Sequence, residues 1–305
     1  MAIPSSRILL TGSRGFTGRY LRDTLVARGY DVVGLINEGQ PEASERVADI
    51  TNASAMRDLT TELMPDYVIH LAAITFVPHS DVSAIYATNT MGTLNLLESL
   101  AALPRRPRRV ILASSANVYG NADYESIDED VLPAPLNHYA ASKLAMEAVA
   151  SVFRERLPYV ITRPFNYTGP GQASHFLVPK IVQHFAARAE RIELGNLDIE
   201  RDFLDVRSVS SIYARLLDCV PAEGNVVNVC SGRGTTLRAI IAKLEKITGH
   251  TMEVTVNPEV VRASDIKRLV GTNFRLRSLV GEWQDYELDQ TLRGMLVAAE
   301  RKAQP

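Results

Sequence analysis

Short apolar runs alternate with amphipathic segments through the first half of the sequence. The apolar runs are residues 8–11, 32–36, 67–71, 110–113 and 159–162. The segments between them that have a helical pattern are residues 17–27, 54–63, 82–100 and 139–153. Parallel strands need crossover connections of about this length, which are usually helices. The alternation therefore predicts an α/β fold with a Rossmann-like, doubly wound parallel sheet.

The alternation stops after Arg163. A Pro/Gly-rich stretch at residues 164–172 precedes a helical segment at 177–187 and then mixed short elements. Residues 235–249 read as a helix, with a threonine as its N-cap and Gly249 as its stop. A chain of 305 residues, 46% of them hydrophobic, can bury one large core and a smaller one. We therefore expect residues 1–163 to form one domain, to which later segments return, and residues 164–305 to form mainly a smaller α/β lobe.

Charge and hydropathy exclude several classes of partner. The formal net charge is −2 and the basic residues are dispersed, so there is no basic patch for nucleic acid or an anionic membrane. No stretch approaches the ~18 apolar residues of a membrane span, and residues 1–6 lack the apolar run of a secretory signal. We expect a cytoplasmic protein with no nucleic-acid or membrane partner.

The chain contains two cysteines, Cys219 and Cys230, without CxxC or Cys/His ligand spacing. His175 and His184 likewise have no partner at metal spacing. The sequence therefore predicts reduced thiols, no disulfide framework and no metal site.

A glycine-rich turn follows the first predicted strand, with Gly12, Gly15 and Gly18 three residues apart. An amphipathic helix comes next. Glycines let the backbone approach a pyrophosphate, and the helix N-terminus attracts its charge. The spacing differs from GxGxxG, so a plain strand-to-helix turn is the alternative. We predict a phosphate loop, with residues 1–163 as a dinucleotide-binding domain.

The end of the second predicted strand bears on which dinucleotide binds. NAD sites usually have an acidic residue there for the ribose hydroxyls, but this strand ends at Asn37, with Glu38 close by. Arg14, inside the glycine loop, could bind a 2′-phosphate with its planar guanidinium. The alternative is a solvated loop arginine. We therefore predict NADP(H) as the favoured cofactor, with NAD(H) not excluded.

Three further residues have the pattern of a proton-transfer site. Tyr139 and Lys143 are four residues apart on a predicted helix, so they share a helical face. A phenol acts as an acid or base near neutral pH when a cation such as Lys143 favours its phenolate. Ser115 follows a predicted strand, at the sheet edge where α/β folds bind ligands. The alternative is a strand-end turn plus a surface helix pair.

In combination, these motifs resemble the extended short-chain dehydrogenase/reductases that modify nucleotide sugars. The segments that carry the resemblance are the glycine loop, Asp49-Ile50, His70-Leu71-Ala72-Ala73, Asn89, Ser114 to Gly120, the Tyr139/Lys143 pair and Arg163-Pro164-Phe165-Asn166. The likeness covers nearly the whole chain. It implies an NAD(P)-dependent oxidoreductase with a nucleotide-sugar substrate, and a homodimer formed by the helices at 82–100 and 139–153.

The resemblance also implies roles for individual residues. Ser115, Tyr139 and Lys143 would be catalytic. The cofactor would contact Gly12, Arg14, Gly15, Phe16, Gly18, Asn37, Asp49, Ile50, Leu71, Ala72, Ala73, Asn89, Tyr139, Lys143 and Pro164. The sugar nucleotide, held mainly by residues 164–305, would contact Ser115, Asn117, Tyr139, Asn166, Arg201 and Arg262. Each of the two arginines has an alternative as a surface ion pair, with Asp202 or Asp265, and Tyr119 is either a lid or a core aromatic.

The family includes 4,6-dehydratases, 4-epimerases and 4-keto reductases, which share the Tyr/Lys chemistry. A dehydratase needs its own acid and base after the serine, but those positions are Ala116 and Asn117. Residues 164–172, 201–206 and 228–232 are similar to reductases of GDP-linked 4-keto-6-deoxymannose, which make GDP-D-rhamnose. We therefore predict an NADPH-dependent 4-keto reductase. The alternatives are a 4-epimerase with tightly bound NAD, a 4,6-dehydratase and a catalytically silent homologue.

Overall fold

A seven-stranded parallel sheet forms the centre of the computed structural model, which describes residues 6–75, 81–257 and 266–303. In spatial order its strands are β10 (Val226–Val229), β6 (Tyr159–Pro164), β5 (Arg109–Ala113), β4 (Tyr67–His70), β1 (Arg7–Thr11), β2 (Asp31–Ile36) and β3 (Glu45–Val47). All neighbouring pairs are parallel. The order reverses at β1, which is typical of a doubly wound sheet. The predicted fold is therefore confirmed, and β10 returns to this sheet from the second half of the chain.

Helices cover both faces of the sheet. They are α1 (Phe16–Ala27), α2 (Ala53–Leu63), α3 (Val82–Tyr86), α4 (Gly92–Ala101), α5 (His138–Ser151) and α7 (Val206–Leu216). Successive side chains of a strand point to opposite faces. In β1, Ile8 and Leu10 accordingly pack into one apolar cluster with α1 and α7, and Leu9 packs into another with α2, α4 and α5. Each such side chain, fully buried, contributes roughly 1.5–3 kcal/mol.

The second lobe has its own small core. Its strands are β7 (Asn166–Thr168), β8 (Arg191–Leu194), β9 (Glu200–Asp205), β11 (Gly234–Thr236), β12 (Glu253–Val256) and β13 (Arg268–Leu269). Its core lies among α6 (Leu177–Ala186), α8 (Leu237–Thr248) and α10 (Leu288–Ala303), and α9 (Phe274–Val280) packs beside β10. The cap of α8 is Thr236, which accepts a hydrogen bond from the Ala239 amide, and Gly249 ends the helix with φ +62° as predicted.

The segment at 82–100, predicted as one helix, is interrupted. A π-helical turn, Ala87–Met91, separates α3 from α4. Such turns are rare and often occur at functional sites, and this one contains Asn89. Over the residues that the structure describes, no helix has the length and apolarity required to cross a membrane.

Candidate active site

A cavity of about 370 Å³ opens at the carboxyl ends of β1, β2 and β4. Eight residues predicted to contact the cofactor line it: Gly12, Arg14, Gly15, Asn37, Asp49, Ile50, Ala72 and Ala73. This edge of the sheet is where doubly wound folds bind nucleotides. The structure therefore brings together, around one cavity, segments as far apart in the sequence as Gly12 and Ala73.

The glycine loop lies against this cavity, and its backbone is packed too closely to admit side chains at Gly12 and Gly18. Gly12 has φ +67°, and a Cβ on it would lie 3.0 Å from the Ala72 amide nitrogen. A Cβ on Gly18 would lie 2.3 Å from the Gly12 carbonyl oxygen. Gly15 is the N-cap of α1, and it offers no side chain to the amides of the first turn. These residues fit a dinucleotide pyrophosphate, because backbone and helix dipole face the cavity without side chains between them.

Replacing Gly18 by Ala is expected to weaken binding of the nicotinamide dinucleotide by at least about tenfold, which corresponds to ~1.4 kcal/mol. The added methyl group collides with backbone atoms of Gly12 and Ser13, so the loop must move. Titration of NADPH fluorescence measures the dissociation constant. Gly294→Ala on α10 is the control, since its Cβ would meet only Pro170 at 3.4 Å. Equal affinities of G18A and wild type would contradict this reading of the loop.

Arg14 is held on one edge by a buried carboxylate. Its Nε and Nη2 donate to Glu45 at 3.0 and 2.6 Å, and Nη2 also donates to the Gln40 carbonyl at 2.7 Å. The hydrogen bond from Arg14 holds the pKa of Glu45 below its usual range. A Cβ on Gly39 would lie 3.6 Å from Nη1, so that nitrogen faces the turn after β2. Arg14 is thus an ion-paired residue rather than a freely solvated one.

Ser115 and Tyr139 lie near each other at the end of β5, close enough for the Ser115 hydroxyl to act on the pKa of the phenol. Ser115 also caps the 3₁₀ turn Ala116–Tyr119 by accepting from the Asn117 amide at 3.2 Å. The Asn137 side chain caps α5 and so fixes the first turn, which carries Tyr139. Burial raises the pKa of Tyr139 to about 12, although the Ser115 hydroxyl acts in the opposite direction. The phenol of the protein alone is therefore protonated at neutral pH, and the role of Lys143 in favouring the phenolate stays a prediction.

Lys143 lies one turn after Tyr139 and is almost fully buried. Its Nζ donates to the Ala113 carbonyl at 2.8 Å. Burial lowers the pKa of Lys143 to about 8, and the carboxylate of Glu147 opposes this shift. Lys143 therefore lies beside the strand that leads to Ser115, with its charge close to titration near neutral pH.

A chain of hydrogen bonds connects β1 to β4 and to the segment that follows β4. The Thr11 hydroxyl accepts from the Leu71 and Ala72 amides at 3.1 and 3.0 Å, so its own proton points to His70 Nδ1 at 2.8 Å. The other ring nitrogen, Nε2, must then donate to Thr93 at 2.9 Å. Burial lowers the pKa of His70 to about 3. His70 is therefore neutral, with its proton on Nε2, and it ties β1 to the segment after β4.

Asn89 supports the same segment from the other side. Its Oδ1 accepts from the Ile74 amide at 2.8 Å, and its Nδ2 donates to the Ile74 carbonyl and to Ser142 Oγ. Ser142 in turn donates to the Tyr139 carbonyl at 2.8 Å. The side chain of Asn89 thus connects the cavity wall to the helix that carries Tyr139 and Lys143.

The 166–172 loop of the second lobe rests on the start of α1. Phe16 stacks on Tyr167 with ring centroids 6.2 Å apart, and the Tyr167 hydroxyl lies 2.8 Å from Thr17 Oγ1. Tyr20 donates to the Pro170 carbonyl at 2.8 Å. Phe16, predicted to contact the cofactor, therefore also packs against the second lobe.

The residues predicted to bind the substrate are spread over several elements. Asn117 lies in the 3₁₀ turn after β5, and Asn166 is exposed at the start of β7. Pro164, predicted to contact the cofactor, ends β6. Arg201 lies on β9, where Nη1 donates to the Glu200 carbonyl at 2.9 Å. Arg262 lies outside the described residues.

The contacts of Asp202 and Tyr119 bear on two alternatives raised by the sequence, an ion pair between Arg201 and Asp202 and a lid formed by Tyr119. Asp202 accepts from the Ser231 amide and hydroxyl and from the Gly232 amide, and burial raises its pKa to about 6. It thus anchors the turn after β10. Tyr119 is fully buried and donates to Asn228 Oδ1 at 2.7 Å, so it is a core aromatic and not a lid.

The model of the NAD dependent epimerase/dehydratase family matches residues 8–230. The chain belongs to this family. Within it, the chain is 36% identical to GDP-6-deoxy-D-talose 4-dehydrogenase of Aggregatibacter actinomycetemcomitans, covering 90% of this chain and 91% of that protein. It is 35% identical to GDP-6-deoxy-D-mannose reductase of Pseudomonas aeruginosa, covering 96% of each. The predicted family and the enzyme class, an NAD(P)-dependent oxidoreductase, are confirmed.

Two solved structures of this family superpose closely. The NADPH complex of RMD from Pseudomonas aeruginosa is 33% identical, with a TM-score of 0.86 over 98% of this chain and all of that one. A Burkholderia cenocepacia protein provisionally described as an epimerase is 46% identical, with a TM-score of 0.92 over 98% of this chain and 99% of that one. The family members that resemble this chain thus include proteins described as reductases and a protein described as an epimerase.

Sequence reasoning missed the side chains that support the predicted site, namely Glu45, Glu147 and Tyr167. Glu147 had a signal, because it follows Lys143 by four residues and so shares its helical face. Glu45 and Tyr167 had none, since their partners lie 31 and 150 residues away in the sequence.

Proposed function

We propose that the protein reduces the C4 keto group of a GDP-linked 4-keto-6-deoxyhexose with NADPH. The observation that carries this proposal is that Ser115 and Tyr139 lie together at the end of β5, with Lys143 on the next turn of α5 bound to the Ala113 carbonyl. Reduction of a ketone needs a proton for the developing alkoxide. The names of the two relatives support the sugar class, since both describe redox chemistry on GDP-linked 6-deoxyhexoses.

In the proposed mechanism Ser115 orients the substrate carbonyl by donating a hydrogen bond to its oxygen. Tyr139 then gives its proton to the same oxygen. When bound, NADPH would supply the hydride for C4 of the sugar. The ammonium of Lys143 stabilises the phenolate that remains on Tyr139 and holds the nicotinamide ribose.

The residues after Ser115 support reduction over dehydration. Ala116 is almost fully buried and Asn117 is an amide. Neither can serve as the additional acid or base that elimination of water requires. The sugar nucleotide would lie against the second lobe, residues 164–305, with Asn166 near the sugar and Arg201 and Arg262 on the diphosphate.

The decisive experiment offers purified protein a panel of 4-keto-6-deoxyhexoses linked to GDP, dTDP or UDP, with NADPH. We expect stoichiometric loss of absorbance at 340 nm with the GDP-linked substrate. NMR of the product gives its configuration, since mannose and talose differ only at C4. Absence of NADPH consumption with every keto-sugar would overturn the proposal.

A 4-epimerase is the second candidate, favoured by the 46% identity to the Burkholderia cenocepacia protein described as an epimerase. An epimerase has to retain its cofactor while the keto-sugar rotates. Denaturing the purified protein and measuring released NAD separates the two candidates. Stoichiometric NAD together with redox-neutral conversion of a 4-hydroxy sugar nucleotide supports the epimerase.

For the cofactor, we propose that Nη1 of Arg14 contacts the 2′-phosphate of NADPH. Arg14→Gln is then expected to raise the dissociation constant for NADPH by about tenfold more than that for NADH, because only NADPH loses a charge-assisted hydrogen bond, whereas loss of the Glu45 ion pair affects both cofactors. Fluorescence titrations with both cofactors measure this. Arg28→Gln, at the exposed end of α1, controls for the lost charge. An equal effect on both cofactors would exclude this role.

A further inference from the structure

A buried ion pair lies one helical turn beyond Lys143. Arg163 on β6 donates to Glu147 on α5 through Nε at 3.0 Å and through Nη2 at 2.6 Å, and the Ser114 hydroxyl donates to the same carboxylate. The two charged side chains are only 6% and 8% exposed. Burying such a pair costs several kcal/mol of desolvation per ion and is often no better for stability than apolar packing. Stability alone therefore does not explain why this ion pair is buried here, which points to a role in the site.

Each member of this group is next to a residue of the proposed active site. Ser114 precedes Ser115 at the end of β5, and β6 pairs with β5 in the sheet. Glu147 follows Lys143 by four residues on α5, so the two side chains lie on one helical face. The group thus links the two strands and the helix that position the proposed catalytic residues.

The third guanidinium nitrogen of Arg163 is also hydrogen-bonded. Its Nη1 donates to the Tyr119 hydroxyl at 3.0 Å, and its guanidinium lies 4.8 Å from the centroid of the Tyr119 ring. Tyr119 is itself bonded to Asn228 on β10. The carboxylate of Glu147 therefore has a fixed position and a fixed distance from the next turn of α5.

The surroundings of Lys143 contain little else that favours its charge. Its Nζ donates to a neutral carbonyl, that of Ala113. The charge of Lys143 helps to lower the pKa of His70 on β4, so His70 is near the lysine but neutral. Tyr139 keeps its proton and is also neutral. Glu147 is the acidic group, within the described part of the chain, that acts on the ammonium.

We propose that Glu147 is a positioning residue that keeps Lys143 charged at neutral pH, with Arg163 and Ser114 holding its carboxylate in place. The use made of that charge rests on the proposed function. The charge itself does not, so it can be tested without any substrate.

The test uses the pH dependence of stability. Lys143→Met removes a buried charge, so the K143M protein is expected to be more stable than the wild type at neutral pH. This stability difference becomes smaller once the wild-type lysine begins to lose its proton in the folded state, near pH 8. Urea unfolding of proteins with and without K143M, between pH 6 and 10, locates the onset of this decline. The same comparison is then made in Glu147→Gln and in Arg163→Gln proteins.

Substitutions of the two partners of the ion pair are expected to shift, in opposite directions, the pH at which the stability difference caused by K143M begins to decline. E147Q removes the attractive charge and leaves Arg163 uncompensated, so the onset moves down by about one pH unit. R163Q leaves the carboxylate unshared, so the onset moves up. If the pair served only to hold the fold together, both variants would lose stability with the onset unmoved, and that result would overturn the proposal.

A milder variant guards against failure of E147Q to fold. Glu147→Asp keeps the charge but withdraws it by one methylene, so we expect a downward shift smaller than that of E147Q. An unmoved onset in folded E147D and R163Q would also refute the role. Inactivity towards every keto-sugar would refute the proposed function while leaving these onsets as they are, so the two failures are distinguishable.

Discussion

Replacing Tyr139 by Phe is expected to lower kcat for keto-sugar reduction by about 10²–10⁴-fold. The variant loses the hydroxyl that lies near Ser115 and that, in the proposed mechanism, gives the proton to the sugar oxygen. The phenyl ring keeps the packing, and the cofactor cavity is lined by other residues. The dissociation constant for NADPH and the melting temperature should therefore stay close to wild-type values. Steady-state NADPH consumption, NADPH titration and thermal melting provide the three measurements.

Tyr213→Phe is the matched control. Tyr213 is also a buried tyrosine, and its hydroxyl lies 2.6 Å from Thr162 Oγ1. Losing that hydrogen bond is expected to reduce the free energy of unfolding by ~1 kcal/mol while kcat changes less than about threefold. If Y139F retained kcat within the range of Y213F, another group would have to deliver the proton.

The fold was predictable because it is encoded in local pattern. In β1, Ile8 and Leu10 face one layer of helices and Leu9 faces the other, so an uninterrupted apolar run is itself the mark of a strand covered on both sides. The glycine loop was predictable for a similar reason. At Gly12 and Gly18, close backbone contacts leave no room for a side chain, and this demand is visible in the sequence as glycine.

The supports of the site were not predictable, because they depend on which distant segments meet. Arg14 meets Glu45 only because β2 and β3 pair with Gly34 opposite Glu45. Arg163 meets Glu147 because β6 lies beside the helix that follows β5. The pKa of Tyr139 was not predictable for a related reason. Burial, which outweighs the groups around the phenol, is a property of the folded surroundings and not of a four-residue spacing.

Lys143→Met is expected to abolish most of the activity while making the protein more stable at neutral pH. The loss of activity follows from the loss of the ammonium that stabilises the Tyr139 phenolate in the proposed mechanism. The gain of stability follows from burial, because Lys143 is 3% exposed and carries a charge that water solvates in the unfolded chain. Sites that are built for function commonly reduce stability in this way.

The sign of the pH dependence makes this prediction specific. The pKa of Lys143 is lowered to about 8 in the folded protein from 10.5, so the folded state binds this proton less tightly than the unfolded state does. Below pH 8 both states are protonated and the wild type bears the whole penalty; as the pH rises towards 10.5 the folded state sheds the proton and the penalty fades. The stability advantage of K143M should therefore shrink by about 2 kcal/mol between pH 7 and pH 10. Urea unfolding at several pH values measures it, and Lys267→Met, which removes an exposed ammonium, should change stability by less than ~0.5 kcal/mol. An advantage of K143M that grew with pH would mean that the folded protein holds the Lys143 proton more tightly than the unfolded chain, which is the reverse of what its burial requires.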